Sequence, residues 1–554
     1  MVVTTGPQLN GTWLTWKAFY YPDPSGPKWA YSVPTKAAQQ INSAYSLMVE
    51  MLAAQFWCLL IGIAIVTMLH RKKNQVNNDV FKTLMPHLWN SKSDLMSAVL
   101  NRSIELLGGS IENRAVIISV IVLIVFALYC GQKAMSILVS AKVILGTAAP
   151  VNPEAIYVPT PEKDNSLIAA THVLNVPWAL RALGTATASI ASLSKYVSVS
   201  KETLIGTFNG TQEPVYQIAY SYNVTGADMG LQKYPKLVLS VKGSCFTEYN
   251  WYQGYSAYEN CFYQDIYHPF DNSSRTILSS PLTGGSPMAF FLPGLIGQSG
   301  SFPTSNSTWA AIISSVGKAS YTAGTDPWYL TELQPTNDTG TAYAVVTGRP
   351  ALSCWEDSVW SHKGKSASIE HLETLPGIHL SDGMKKVLEH YLTGPMIVSL
   401  GIDLGSSNLI SGNAALGAII DANANSFAQD IERLVVAAYV ATTNVLTTTT
   451  LYPYGASMKV VNRVQNTSGQ VDPGVAEFVV WTPEITALNL VVVITIPVLL
   501  TVLLLTNGIL FWVSPLAKAN AVGAAELFSE FVKLHQNSEI VFDSKKHKAK
   551  WHHP

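Results

Sequence analysis

The sequence predicts an α+β membrane protein: three transmembrane helices with a large mixed α/β exoplasmic domain. Three observations predict it. Apolar residues make up 48% of the 554 and charged residues only 13%, against about 25% in soluble globular chains. Three long runs carry no charge. The short connection between the first two runs is basic, whereas the long connection after them is acidic. The 35 Lys and Arg balance 36 Asp and Glu, so the chain has no global positive field and no nucleic acid is expected as partner.

The elements follow in chain order. Residues 1–48 read as an exoplasmic N-terminal tail, polar and aromatic, without the basic-then-apolar pattern of a cleaved signal peptide. Transmembrane helix 1 is placed at 49–70. Its nineteen uncharged residues from Met51 to Leu69, at about 1.5 Å each, cover a hydrocarbon core of about 30 Å. Residues 71–114 form a basic cytoplasmic loop, in which Arg71, Lys72, Lys73, Lys82, Lys92, Arg102 and Arg114 set the orientation. Transmembrane helix 2 is placed at 115–136 on the uncharged run Ala115 to Gln132, and an exoplasmic glycosylated domain at 137–484. Transmembrane helix 3 occupies 485–513, with Pro497 and Asn507 inside it as a kink and a helix-packing contact. The cytoplasmic tail is 514–554 and is rich in lysine.

Within the outer domain, Val176 to Lys195 reads as a helix. Glu202–Phe208, Val215–Val224 and Lys236–Phe246 read as strands between Asn, Gly and Pro clusters. Residues 281–337 are rich in Gly, Ser and Pro and are expected to be packed loops. Ser381 to Tyr391 and Ser426 to Thr447 have helical periodicity, the second with an apolar stripe from Phe427 through Ile431, Leu434 and Ala438. The glycine-rich stretch Leu404 to Ile420 is read as a buried or re-entrant piece.

The region from Val151 to Glu484 holds 17 basic and 26 acidic residues, a solvated acidic surface that names no ligand. Its Asn-X-Ser/Thr triplets make Asn209, Asn223, Asn272, Asn306, Asn337 and Asn466 glycosylation candidates, with Asn10 in the N-terminal tail. Cys58 lies in the first span as a small packing residue. Cys245 and Cys261 enclose a short loop and are the first disulfide candidates, with Cys130 and Cys354 as the second pair or Cys354 free and buried.

The chemistry is less defined. His371, Glu373 and His379 lack the helical spacing that presents two imidazoles and a base on one face of a zinc site, so no metal is expected. Gly297-Gln298-Ser299-Gly300 misplaces the second glycine of a serine elbow. The phosphate loop and the dinucleotide fingerprint are missing, and no cofactor is expected. Aromatic residues crowd the segment after Cys245, where Trp251, Tyr252, Tyr255 and Tyr258 offer a recognition surface or a core around a bridge.

The run Gly348-Arg349-Pro350-Ala351-Leu352-Ser353-Cys354-Trp355-Glu356-Asp357-Ser358-Val359-Trp360 resembles a segment of uncharacterised integral membrane proteins of filamentous fungi. The resemblance implies a fungal membrane glycoprotein and transfers no catalytic residue. The expected function is a non-enzymatic membrane glycoprotein in the plasma membrane or a secretory or vacuolar membrane. Besides the lipid bilayer, its outer domain would recognise an exoplasmic small molecule, glycan or protein. The competing expectation is a membrane-anchored enzyme, a hydrolase or an accessory factor of a secondary-metabolite pathway.

Overall fold

The computed structural model describes residues 11–71, 115–160, 165–208, 212–258, 262–271, 275–279, 286–294, 307–334, 343–413, 419–452, 460–466, 468–512, 540–543 and 548–551. The chain divides into two units. One comprises Met1–Lys28 and Thr147–Pro483, the other Trp29–Gly146 and Glu484–Pro554.

The second unit is built on three helices, α1 (Thr35–Arg71), α2 (Ala115–Val143) and a late helix, Leu490–Trp512. A small antiparallel sheet gathers one end of each. Ala30–Pro34, which leads into α1, pairs with Ile485–Asn489, which leads into the late helix, and that strand pairs with Ile144–Gly146, which leaves α2. Val33, Ala38, Tyr45, Val49, Val143, Leu488 and Ile496 form the core beneath this collar.

Two helices, not three, have the length and composition to cross a membrane among the described residues: Thr35–Ile63 and Leu490–Leu510. Only 17% and 11% of their apolar windows are buried, too little for core helices of a soluble domain. Phe56, Leu60, Ile63, Val498, Val502 and Ile509 stand exposed. The three-span expectation is therefore corrected. The uncharged run expected to form the second span is helical, but most of its side chains lie outside the described set, and the described half of α2 carries Lys133 and Lys142. Lys133 pairs with Glu50 of α1 at 2.7 Å, and Ser136 Oγ lies 2.9 Å from Ser46 Oγ. The contact between these two helices is thus partly polar.

Pro497 supplies no N–H, which leaves the carbonyl of Val493, four residues earlier, without its helical donor. Tyr45 of α1 donates its hydroxyl to that carbonyl at 2.6 Å. The proline site and the helix–helix contact therefore share one hydrogen bond. Further along, Asn507 is 6% exposed and donates to the Gln55 carbonyl and Gln55 Oε1 at 2.8 and 2.9 Å, which gives it a packing contact. Tyr45→Phe is expected to lower stability in detergent by about 1–2 kcal/mol, because it leaves that carbonyl without a partner in an apolar setting. Thermal unfolding of the purified full-length protein measures it.

The first unit is centred on an antiparallel sheet of eight strands: β1 (Val197–Val199), β2 (Thr203–Thr207), β3 (Pro214–Thr225), β4 (Val238–Glu248), β5 (Ala289–Pro293), β6 (Ser307–Ile313), β7 (Ala351–His362) and β8 (Lys365–Ala367). The order is β5-β6-β7-β4-β3-β1, with β2 also on β3 and β8 on β7. Residues 281–337, expected as loops, thus supply two strands of the main sheet. Ile218, Tyr220, Tyr222 and Val224 alternate into the core along β3, as do Leu239, Val241 and Cys245 along β4. Two helices lie against this sheet, α5 (Met396–Leu404) and α6 (Phe427–Thr443); α3 (Asn165–Leu193) packs on both of them, and the short amphipathic α4 (Asp382–Leu392) precedes α5. The helix Leu490–Trp512 of the other unit is α7. Both predicted helices in this region have serine N-caps, Ser381 Oγ accepting from Met384 N and Ser426 Oγ from Gln429 N. The segment read as buried or re-entrant begins at Leu404, the last residue of the buried helix α5. Asn408 holds it down, exchanging hydrogen bonds with both backbone groups of Ala289 and donating to Gly401 O.

The cysteine expectation is corrected. Cys245 is bonded to Cys354, its in-register partner on the neighbouring strand, with a Cα–Cα distance of 4.1 Å. Strand pairing brings together residues 109 apart in sequence, a proximity that short sequence spacing does not reveal. Cys130 is exposed and unbridged, and Cys261 lies outside the described residues. Closing so long a loop stabilises the fold by roughly 4–5 kcal/mol in the chain-entropy description. Replacing both cysteines by serine should lower unfolding stability by roughly 2–5 kcal/mol, read from denaturant midpoints of the full-length protein.

Candidate functional site

The aromatic segment folds as a three-stranded antiparallel sheet of Tyr252–Tyr258, Phe262–Tyr267 and Arg275–Ser279. Its inner rings are core. Tyr252 packs on Tyr267 at 5.6 Å between centroids and Trp251 on Phe270 at 5.0 Å, while Tyr267 is fully buried with Ile312 and Ala351. Phe270 takes a left-handed conformation, φ 58°, uncommon for a residue with a Cβ and stabilised here by ring contact with Trp251. Tyr255 is 58% exposed, and Tyr258 lies at the strand end opposite Phe262. Of the four predicted recognition residues, two therefore anchor the sheet and Tyr255 faces outward.

Beneath these rings sits a buried pair of opposite charge. Asp265 is 2% exposed and Arg349 6%. Tyr267 donates its hydroxyl to Arg349 O at 2.8 Å, and Asp265 Oδ2 accepts from Gly348 N at 3.4 Å. The Arg349 guanidinium donates to Pro327 O and Thr347 O. Burial raises the Asp265 carboxyl to about 6 against the hydrogen bonds and Arg349, which lower it. Asp265 Oδ1 and Arg349 Nε have no protein hydrogen-bond partner. The site combines a fixed aromatic platform with unused hydrogen-bonding capacity of both signs below it.

A second polar cluster was not apparent from the sequence. On α3, His172, Asn175, Trp178 and Arg181 recur at three-residue steps, so that neighbours in the series lie one turn apart. His172 Nδ1 lies 2.7 Å from Asp403 Oδ1 on α5. Asn175 bonds the same carboxylate and accepts from the Tyr452 hydroxyl at 2.9 Å, and that hydroxyl lies 3.1 Å from Tyr391 OH of α4. Tyr452 donates onward, so Tyr391 must donate to it, and the chain of donors ends on Asp403. Burial raises the Asp403 carboxyl to about 6 despite these donors. The helix expected from Val176 begins at Asn165, so His172 and Asn175 lay outside the expected element, and the convergence of Asp403, Tyr391 and Tyr452 was not legible either. The neighbouring seam among Trp178, Tyr391, Met396, Ala441, Val445 and Thr448 is too narrow to admit a water molecule.

The residues weighed for catalysis stay apart. His371 and His379 are exposed, and Glu373 pairs with Lys385 at 3.0 Å. Cys354 is in the disulfide, and Gly297–Gly300 lies outside the described residues. Among the described residues no three His, Cys, Asp or Glu side chains group as a metal site requires. Of the glycosylation candidates, Asn223 and Asn466 are exposed, whereas Asn10, Asn209, Asn272, Asn306 and Asn337 lie outside the described residues.

A family model described as a domain of unknown function, DUF8406, matches residues 176–480, more than half of the chain. The chain belongs to the DUF8406 family. No curated protein and no solved structure matches it. The DUF8406 match starts inside α3 and ends in the strand Val479–Trp481, so it takes in the whole eight-stranded sheet, the disulfide and the aromatic platform.

In the DUF8406 sheet, Glu356 is 2% exposed and accepts from Tyr220 OH at 2.7 Å. The Tyr220 ring lies over Gly243, where any Cβ would collide with it. Burial raises the Glu356 carboxyl to about 7, so the folded state retains a proton that the unfolded chain releases near 4.5. Stability from this group is present below about 4.5 and lost as pH rises through about 7. His390, held down at about 4 by burial and Arg463, acts in the opposite sense over an overlapping range. Glu356→Gln should therefore flatten the decline of stability between pH 5 and 8 relative to wild type, measured as denaturant midpoints at several pH values.

Proposed function

We propose that the protein is a membrane-anchored glycoprotein whose disulfide-bonded DUF8406 domain lies on the exoplasmic side and recognises a ligand or partner through its aromatic platform. The Cys245–Cys354 bond is the observation that carries the placement. Both sulfur-bearing residues are buried in register between central strands, and such bonds persist in oxidising compartments. The two long apolar helices, Thr35–Ile63 and Leu490–Leu510, support the membrane anchor. Recognition draws support from Tyr255, an outward ring on a sheet whose inner rings are anchored. Pre-organised aromatic side chains lose little conformational entropy on binding.

The placement is tested by thiol labelling of protein trapped in acid from intact cells. Cys245 and Cys354 should resist maleimide under denaturing conditions until a reductant is added; labelling of both without reductant would overturn the exoplasmic assignment. Recognition is tested with a photo-crosslinking phenylalanine analogue at Tyr255 or, as control, at exposed Leu333. A saturable adduct specific to position 255 is expected, and equal yields at both positions would count against the platform.

A further inference from the structure

We propose that Asn466 carries an N-linked oligosaccharide, an inference that rests on the exoplasmic placement above and singles out one acceptor. Asn466 and Ser468, of the triplet Asn466-Thr-Ser468, lie at one end of a tight hairpin. Gln465 bridges Val471, Asn466 N donates to Gln470 O at 2.9 Å, and Gly469 N donates back to Asn466 O at 2.9 Å. Gly469 closes the turn at φ 78°. Gln465, Asn466 and Ser468 to Gln470 are all exposed, so a bulky substituent displaces no core.

The acceptor chemistry is already arranged in this turn. Asn466 Oδ1 accepts from Ser468 N at 3.1 Å, Ser468 Oγ at 2.7 Å and Gln470 N at 2.9 Å. Two of these donors are backbone N–H groups, which fixes the oxygen rather than the nitrogen of the amide toward the turn. Nδ2 makes none of the residue's hydrogen bonds to described residues and stays available to react. Three donors on the carbonyl oxygen draw electron density from the amide and make its N–H more acidic. Each of these side-chain contacts spans at most four residues, so the arrangement is local to the turn. Asn223 differs: it lies in β3 opposite Ser240, and the hydroxyl of its Thr225 is committed to Asp228 in a capping box.

In the transfer, the donor is a polyprenyl-diphosphate-linked oligosaccharide. The bond from Nδ2 to the sugar's anomeric carbon forms as the bond from that carbon to the diphosphate oxygen breaks. One amide proton passes to a base on the transferase, the polyprenyl diphosphate departs, and nothing is oxidised or reduced.

The test uses the full-length protein from a eukaryotic host competent in N-glycosylation. It is released from glycan by peptide-N-glycosidase in oxygen-18 water and cleaved with trypsin and Glu-C. The peptide Val464–Glu477 should contain oxygen-18 aspartate at position 466, and Asn466→Gln and Ser468→Ala should each remove one glycan's worth of mobility on a gel, whereas Ser468→Thr should keep it. Disulfide state is read on the same sample. Recovery of an unmodified Val464–Glu477 peptide with Cys245 and Cys354 oxidised would overturn the Asn466 assignment and leave the exoplasmic placement standing. An unmodified peptide with both thiols free would remove both.

Discussion

The disulfide between Cys245 and Cys354 is the constraint on which the domain depends. It lies in one row of the main sheet, flanked by Ile218 on β3 and Trp309 on β6, on the side that alternates into the core. The bond closes a loop of 109 residues that contains the aromatic sheet, β5 and β6. Without it, the ladder between β4 and β7 would have to offset the loop entropy of that whole excursion by strand pairing and burial alone. Bonds of this kind are rare in reducing compartments.

Polar groups inside this domain are placed where they join elements that share little sequence. Asp326 accepts from Trp328 N and Phe427 N, tying a loop to the start of α6, and Asp430 one turn later accepts from Ile410 N and Tyr329 OH. Burial raises these carboxyls to about 7 and about 6, the energetic cost of placing acceptors away from water. Each nonetheless satisfies a backbone or hydroxyl donor that would otherwise be stranded, and a half-satisfied buried network costs more than an apolar one. The helical unit offers one instance of the same rule. Pro497 leaves a carbonyl without its donor and Tyr45, from another helix, satisfies it.

Much of the domain was legible from periodicity. The helices beginning at Phe427 and Asp382 and the strands β2 to β4 fall close to where alternation and spacing put them, because their buried faces are local patterns. Residues 281–337 misled because glycine, serine and proline mark turns, while the short strands between them, Ala289–Pro293 and Ser307–Ile313, derive their order from β7, which lies more than 35 residues further on. The aromatic run was correctly seen as dense, yet only packing separates Trp251 and Tyr252, which anchor, from Tyr255, which projects.

The sequence by itself determined the local properties: long uncharged stretches, amphipathic faces, the acidic balance of residues 151–484 and a set of Asn-X-Ser/Thr triplets. Each depends on neighbours within a few turns of chain, where geometry is set by the backbone period. Tertiary structure decided what depends on distant partners: Cys245 with Cys354 instead of Cys261, the relay from Tyr391 through Tyr452 and Asn175 to Asp403, and the hydroxyl of Tyr45 on the carbonyl that Pro497 leaves bare. Such pairings form only once strands and helices are stacked, since a hydrogen bond or disulfide requires ångström proximity that no local pattern encodes.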